Sequence, residues 1–225
     1  MTRIVKEHDV RREEILDTAQ QLFSQKGYEQ TSIQDITRTV GIAKGTFYHY
    51  FDSKLALLDE LIERMIDFAI GIIEPVIADP DMGALEKLDR FLDGIARWKI
   101  ENKDFFLNIM RPYFGPDNAI FRQKANEMSL AKVAPLLATV LNQGVAEGVF
   151  DIPHSLEAAR IVLRISQGIG EETVAFLLNS GRDNTSFDTL TRNVVFYHTV
   201  VERMLKAPVG SIELIKLDDL REWFE

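Results

Sequence analysis

Residues 31–54 read TSIQDITRTVGIAKGTFYHYFDSK. Apolar residues recur here at helical spacing, and Gly41 divides the stretch into two short segments. Because glycine tolerates a positive φ, Gly41 permits a tight turn between two helices. A preceding amphipathic segment, from about Val10 to Lys26, would pack against this pair. The pattern predicts a helix-turn-helix, a unit whose second helix enters the major groove of DNA.

The second segment has the residue types that a groove-reading helix needs. Its first residues are small or long and flexible, which suits a groove about 12 Å wide. Phe47 and Phe51 would anchor the helix on its neighbours and leave Tyr48 and His49 pointing outward. Lys54 begins the next helix, where its charge and the helix dipole would both favour a phosphate.

The two predicted helices differ in how their first turns are capped. Thr31 with Gln34, and more weakly Ser32 with Asp35, form two overlapping capping boxes ahead of the first. Ala43 precedes the second and has no side-chain oxygen for capping, a loss of about 1 kcal/mol. We therefore expect a frayed start to the second helix when DNA is absent.

The rest of the chain also shows helical periodicity, without the alternating β-branched runs of strands, so we predict an all-α fold. Pro75 and the loop at residues 79–83 are expected to end the fourth helix near Glu74 and to mark a change of module, and Pro135 is expected to kink a later helix. Altogether we expect about nine helices and a short C-terminal one. The helices expected after the first three lie at about 54–74, 85–95, 105–111, 119–146, 155–179, 187–206 and within 211–225.

Charge is distributed unevenly along the chain. The net charge is −9, yet residues 1–54 hold eight basic and eight acidic residues, so the whole deficit lies after residue 54. This asymmetry permits a phosphate-facing N-terminal end on an otherwise acidic protein.

Composition excludes several classes of function. The chain has no cysteine, which excludes disulfides and thiolate metal sites. The four histidines lack metal-ligand spacing, and no nucleophile elbow or phosphate-cradling loop is found. We therefore expect no enzyme activity, no cofactor and no metal. Without an apolar leader or a long apolar span, the protein is expected to be cytoplasmic and not to bind membranes.

A long ungapped motif runs through residues 10–58. Its residues are Ile15, Leu16, Ala19, Leu22, Phe23, Gly27, Tyr28, Thr31, Ser32, Ile33, Ile36, Val40, Gly41, Ile42, the run from Lys44 to Phe51, Lys54, Leu57 and Leu58. In this motif the chain closely resembles the DNA-binding domain of the TetR family of transcriptional regulators. Residues 143–150, QGVAEGVF, also resemble a turn in that family's C-terminal domain. The chain departs from the family pattern at Thr37 and Val40, where alanine is common, and at Ala43, where serine or asparagine is common.

The resemblance implies a ligand-responsive regulator, expected to be a repressor, that binds a palindromic operator as a homodimer and is released by a small-molecule effector. It implies a helix-turn-helix DNA-binding domain at residues 1–54, joined by a long fourth helix to a ligand-binding and dimerisation domain at 55–225. The residues it suggests for contacts with bases or phosphates are Thr31, Gln34, Lys44, Gly45, Thr46, Tyr48, His49 and Lys54.

Composition suggests where the effector would bind. Aromatic and soft apolar residues concentrate in the middle helices, and polar residues that could orient a ligand lie in the 155–179 helix. The candidates are Trp98, Phe105, Phe106, Met110, Tyr113, Phe114, Phe121, Arg164, Gln167, Glu171 and Glu172. Core packing, or a surface position for the polar residues, is the alternative for each.

An apolar stripe near the C-terminus suggests where the dimer would form. Its residues recur at alternating steps of four and three, and two glycines in the preceding helix would allow close approach, as in a four-helix interface. The stripe consists of Leu190, Val194, Tyr197, Val201 and Met204, and the glycines are Gly168 and Gly170. A monomer could use the same stripe for its own core.

Two other functions stay open on the sequence. One is an activator, or a regulator without a small-molecule effector that senses through a protein partner. The other is a helical enzyme or carrier with an incidental helix-turn-helix.

Overall fold

A computed structural model describes residues 8–101, 119–179 and 184–222. All regular secondary structure in these residues is helical, which confirms the predicted all-α fold. The helices are α1 His8–Lys26, α2 Ile33–Val40, α3 Lys44–Tyr50, α4 Lys54–Ala78, α5 Ala84–Glu101, α6 Ala119–Ala146, α7 Ser155–Asn179, α8 Asn184–Leu205 and α9 Leu217–Glu222.

Helix α4 does not end near Glu74 but continues through Pro75 to Ala78. Proline lacks one N–H group, and the loss of one backbone hydrogen bond did not end this helix. The helix predicted at about 105–111 lies outside the described residues.

The chain divides into two compact units. The first comprises residues 1–65 and 108–125, and the second comprises residues 66–107 and 126–225. The boundary therefore falls inside α4, eleven residues after the predicted functional division at residue 54, which stays a prediction.

The first unit is built around the helix-turn-helix. Helix α1 packs on α2, and α2 packs on α3. Large apolar side chains of α1 to α4 form a shared core. They include Ile15, Leu16, Phe23, Ile36, Phe47, Phe51, Leu57, Leu58 and Leu61. Polar contacts then fasten α4 to α1, since the Arg64 guanidinium donates to Asp17 at 2.7 Å and to Glu13 at 3.1 Å, and Arg12 pairs with Glu60.

The second unit contains a tightly packed turn after α6. Phe150 is buried and its ring lies against Gly144, where a Cβ atom would collide with it. Glu147, in the same turn, accepts a hydrogen bond from the backbone N–H of Ala84 at 2.9 Å and so caps α5. The start of α5 is thereby fastened to the end of α6.

The C-terminal segment packs onto the second unit as well. Ile212, Leu214 and Leu220 are buried, and the backbone N–H of Ile212 donates to Glu202 at 3.2 Å. The Lys216 ammonium lies 3.0 Å from the Asp93 carboxylate of α5. The predicted short C-terminal helix is confirmed as α9, whose packing partner is α5.

Candidate nucleic-acid interface

Helix α2 begins with a complete capping box, although not the stronger of the two predicted. Ser32 is the N-cap, and its hydroxyl accepts a hydrogen bond from the Asp35 N–H at 3.1 Å. The Asp35 carboxylate accepts one from the Ser32 N–H at 3.0 Å in return. At the other end, Gly41 adopts a φ of 76°. This left-handed conformation favours glycine and provides the predicted turn into α3.

The Asp35 carboxylate also pairs with two basic side chains. It lies 3.0 Å from the Lys26 ammonium and 2.8 Å from the Arg38 guanidinium. Hydrogen bonds from the Ser32 backbone and hydroxyl, followed by Lys26, hold the pKa of Asp35 well below its usual range. The carboxylate therefore stays ionised. It holds the Lys26 ammonium near the start of α2 and the Arg38 guanidinium on the exposed face of α2.

Sequence reasoning missed Lys26 and Arg38 as interface candidates. The spacing of Asp35 and Arg38, three residues apart on one helix, was a usable signal for the second. Only the packing of α1 on α2 brings Lys26 to the same carboxylate. Gln34, which was predicted, is exposed on α2 one turn before Arg38.

Helix α3 separates its aromatic residues into two groups as predicted. Phe47 and Phe51 are buried, whereas Tyr48 is 46% exposed and His49 is exposed. The rings of Phe47 and Phe51 pack 5.7 Å apart. The buried pair fixes the orientation of α3 and leaves its opposite face open to solvent.

The start of α3 is also open. Lys44 and Gly45 are exposed and Thr46 is half-buried. The Lys44 ammonium lies 5.9 Å from the centre of the Tyr48 ring. A Cβ atom at Gly45 would meet nothing within 4 Å, so the chain itself does not need glycine there. Ala43, the N-cap, makes no side-chain hydrogen bond, as expected, although its carbonyl oxygen accepts from the Thr46 N–H at 2.9 Å.

Two of the residues predicted to contact DNA make hydrogen bonds within the chain. Thr31 is buried, and its hydroxyl donates to the Gly27 carbonyl at 2.7 Å. The Lys54 ammonium donates to the carbonyls of Tyr28 at 2.9 Å and Thr31 at 3.0 Å. Both side chains serve the loop between α1 and α2, because buried backbone carbonyls need donors. In the DNA-free structure their polar groups are engaged within the chain, and a role for them at DNA stays a prediction.

Comparison with known proteins agrees with this geometry. Residues 15–61 match the family described as bacterial regulatory proteins, tetR family, and residues 108–175 match the tetracyclin repressor-like C-terminal domain. The HTH-type transcriptional repressor KstR2 of Rhodococcus jostii is 30% identical over 164 residues, which cover 68% of this chain and 74% of that protein. The chain belongs to the TetR family. It is a DNA-binding transcriptional regulator.

Other similarities are shorter or concern the fold. The regulator IcaR of Staphylococcus aureus is 37% identical over 62 residues, covering 28% of this chain and 33% of IcaR. A putative tetR family regulator from Shewanella sp. PV-4 shares the fold with a TM-score of 0.57, at 19% identity, over 84% of this chain and 97% of that one. Salmonella enterica GusR does so with a TM-score of 0.55, at 22% identity, over 90% and 99%. Regulators of the TetR family are generally non-enzymatic.

Most of the effector candidates of this TetR-family chain lie beyond what the structure describes. These are Trp98, as a side chain, and Phe105, Phe106, Met110, Tyr113 and Phe114. Of the others, Phe121 and Gln167 are half-buried, while Arg164, Glu171 and Glu172 are exposed. Glu171 accepts a hydrogen bond from the Asn126 amide at 3.1 Å. The effector assignment of all these residues stays a prediction.

Three of the seven residues predicted for the dimer interface lie in the chain's own core. Leu190, Val194 and Val201 are at most 5% exposed, and α8 packs on α7. The Tyr197 hydroxyl donates to Glu172 of α7 at 3.1 Å. Met204, Gly168 and Gly170 are half-buried. The monomer-core alternative therefore accounts for the three buried residues of the stripe, and a dimer role for the others stays a prediction.

None of the described helices is long and apolar enough to cross a bilayer. In residues 8–101, 119–179 and 184–222, no three acidic or histidine side chains converge as metal ligands would.

Proposed function

We propose that the protein is a repressor that binds a palindromic operator as a homodimer in the cytoplasm and is released by a small-molecule effector. The observation that carries this proposal is the open face of α3, with Lys44, Gly45, Tyr48 and His49 exposed opposite the buried Phe47. KstR2 and IcaR are named a repressor and a negative regulator, which supports repression.

In this proposal α3 enters the major groove. Thr46 lies at its leading end, where it contacts base edges, while Lys44 and Tyr48 contact phosphates. On α2, Gln34 and Arg38 are exposed on the same face and contact the flanking backbone. The Asp35 carboxylate holds Arg38 in place for this contact.

The dimer surface in this proposal is the second apolar face of α8 together with α7. Phe196 is 63% exposed, and Val195 and Ile161 are also exposed. Gly168 lies two turns after Ile161 on the same face of α7, and a Cβ there would meet nothing in the chain within 4 Å. Glycine at that position would let a second copy approach closely.

The release mechanism we propose is a population shift. Two recognition helices must match half-sites about 34 to 36 Å apart. Helix α4 runs from Lys54, beside the reader, to Ala78 in the second unit. An effector that favours a different tilt of α4 would change the spacing, and about 1.4 kcal/mol of differential binding lowers operator affinity tenfold.

The experiment that tests the function is selection of bound fragments from the host genome, followed by titration of the selected fragment against salt. A specific dimer should lose affinity steeply as salt rises, because several phosphate contacts release counterions. Tyr48→Ala should weaken binding to all sequences, whereas Thr46→Ala should change the preference among them. Unchanged binding in both variants would remove the assignment of α3.

A further inference from the structure

Lys54 begins α4, and its ammonium is fully engaged inside the reader. It donates to the carbonyls of Tyr28 at 2.9 Å and Thr31 at 3.0 Å. It also lies 4.1 Å from the centre of the Tyr28 ring. An ammonium has three N–H donors, so two carbonyls and one aromatic face use its bonding capacity.

Lys54 is more buried than Lys44, the exposed lysine of α3. Tyr28 and Thr31 are buried, and Lys54 itself is only half-exposed. Desolvation by burial lowers the pKa of Lys54, with the nearby Glu29 opposing it. Lys44, by contrast, is exposed and makes only a distant contact with Tyr48.

The two carbonyls belong to the loop that sets where α2 begins. Thr31 immediately precedes the N-cap Ser32, and its hydroxyl binds the Gly27 carbonyl at 2.7 Å. Lys54 therefore joins the first residue of α4 to the backbone just ahead of α2. Helix α2 in turn leads through Gly41 into α3.

We infer that Lys54 is a positioning residue of the DNA reader, which fixes the α1–α2 loop, and through it α2 and the recognition helix, instead of binding a DNA phosphate. This inference rests on the proposed function, since it concerns the same reader. Without the ammonium, the Thr31 carbonyl loses this donor and the Tyr28 carbonyl is left with the Thr31 N–H at 3.2 Å, so the loop relaxes. Apparent operator affinity then equals the intrinsic affinity multiplied by the fraction of molecules whose reader stays correctly placed.

Salt dependence distinguishes positioning from phosphate binding. Each phosphate contact contributes about 0.9 to the log–log slope of affinity against salt. A positioning residue contributes nothing to this slope, while its loss still lowers affinity for the correct sequence. Non-specific binding, which depends on phosphate contacts, should then be preserved.

The experiment measures operator and non-specific DNA affinity from 50 to 300 mM salt, a range that includes roughly physiological ionic strength, for the full-length wild type and three variants. Lys54→Met should lower operator affinity by about tenfold or more, with the slope and the non-specific affinity unchanged. Lys44→Met is the phosphate-contact comparison and should lower the slope and both affinities. Arg90→Gln removes one exposed charge of α5, which pairs with Glu86, and should change neither quantity.

Two results with Lys54→Met would overturn the inference. One is a fall in slope and non-specific affinity like that of Lys44→Met, which would make Lys54 a phosphate ligand. The other is a lower melting temperature with unchanged operator affinity at 20 °C, which would make the contact structural only.

A second variant tests the same loop without changing charge. Thr31→Val removes the hydroxyl bond to Gly27 and should lower operator affinity at unchanged slope, so the inference can be tested even where Lys54→Met does not fold. Operator affinity equal to wild type in Thr31→Val would count against it. Failure of the wild type to prefer any sequence is a different outcome, which would overturn the proposed function and the inference with it.

Discussion

The apolar pattern of α3 predicted which of its residues are exposed, whereas the apolar pattern of α8 did not predict what covers it. In α3 the residues predicted to face outward, Tyr48 and His49, do so. In α8 three residues of the stripe predicted to face a partner, Leu190, Val194 and Val201, are buried within the chain. Hydrophobic periodicity therefore identifies the face that is covered, but not what covers it.

The number of apolar faces explains the difference. Helix α3 has seven residues, and Phe47 with the adjoining Phe51 supplies its single inward face. Helix α8 has 22 residues and two apolar faces, one buried at Leu190, Val194 and Val201 and one exposed at Val195 and Phe196. The face with the more regular spacing was the core.

The largest expected effect is on stability, and it compares two glycines of the second unit. A neighbouring side chain occupies the Cβ position of Gly144, whereas the Cβ position of Gly71 is free. Gly144→Ala should lower the free energy of unfolding by about 2 to 3 kcal/mol, because the new Cβ collides with the buried ring of Phe150. Gly71→Ala, in α4, meets nothing within 4 Å and should be neutral or up to about 1 kcal/mol stabilising. Urea denaturation measures both. Equal stabilities of the two variants would contradict the tight packing of this turn.

The next prediction separates the two faces of α8. Phe196→Ser should raise the dimer dissociation constant about 30-fold or more, a hot-spot loss of about 2 kcal/mol, without unfolding the chain, because Phe196 is exposed. Leu190→Ala should instead lower stability by about 2 kcal/mol or more. Analytical ultracentrifugation and denaturation measure the two effects. An unchanged dissociation constant for Phe196→Ser would place the dimer elsewhere.

The third prediction uses Gly45→Ala to test whether DNA approaches the exposed face of α3. Alanine should stabilise the helix by up to about 1 kcal/mol, since the chain offers no obstacle to a Cβ at this position. It should also lower operator affinity about tenfold, or about 1.4 kcal/mol, if DNA approaches the backbone here. Denaturation and a binding titration should thus move in opposite directions. Unchanged affinity would show that DNA does not approach Gly45.

The smallest expected effect concerns pH and the C-terminal segment. His198 Nε2 accepts a hydrogen bond from the Ile215 N–H at 3.4 Å, and burial lowers the pKa of His198 from 6.5, with Glu213 and Glu202 opposing. The unfolded chain therefore binds more protons than the folded chain as pH falls through and below 6.5. Stability should decrease from pH 7.5 to 5.5, and His198→Asn should reduce this dependence. An identical pH profile for both proteins, measured by urea denaturation, would contradict this role.

Much of the fold and part of the reader were predictable because they depend on local chemistry. The helices, the Gly41 turn, the inward Phe47 and Phe51 and the absence of a side-chain cap at Ala43 all follow from neighbours within a turn or two. The continuation of α4 through Pro75 was not predicted. The partners of Thr31 and Lys54 within the chain were not predicted either, because they are backbone carbonyls brought near by the fold.

The amino-acid sequence by itself determined that the chain is helical, where its reader lies and which residues of α3 are left outside the core. These properties depend on helical spacing and turn chemistry over a few residues. The tertiary structure decided that Lys54 binds the loop before α2, that Asp35 gathers Lys26 and Arg38, and that Leu190, Val194 and Val201 of the α8 stripe are buried inside the chain. The sequence around a charge or an apolar face does not show which residues will contact it. Contacts between residues tens of positions apart form only when the helices pack.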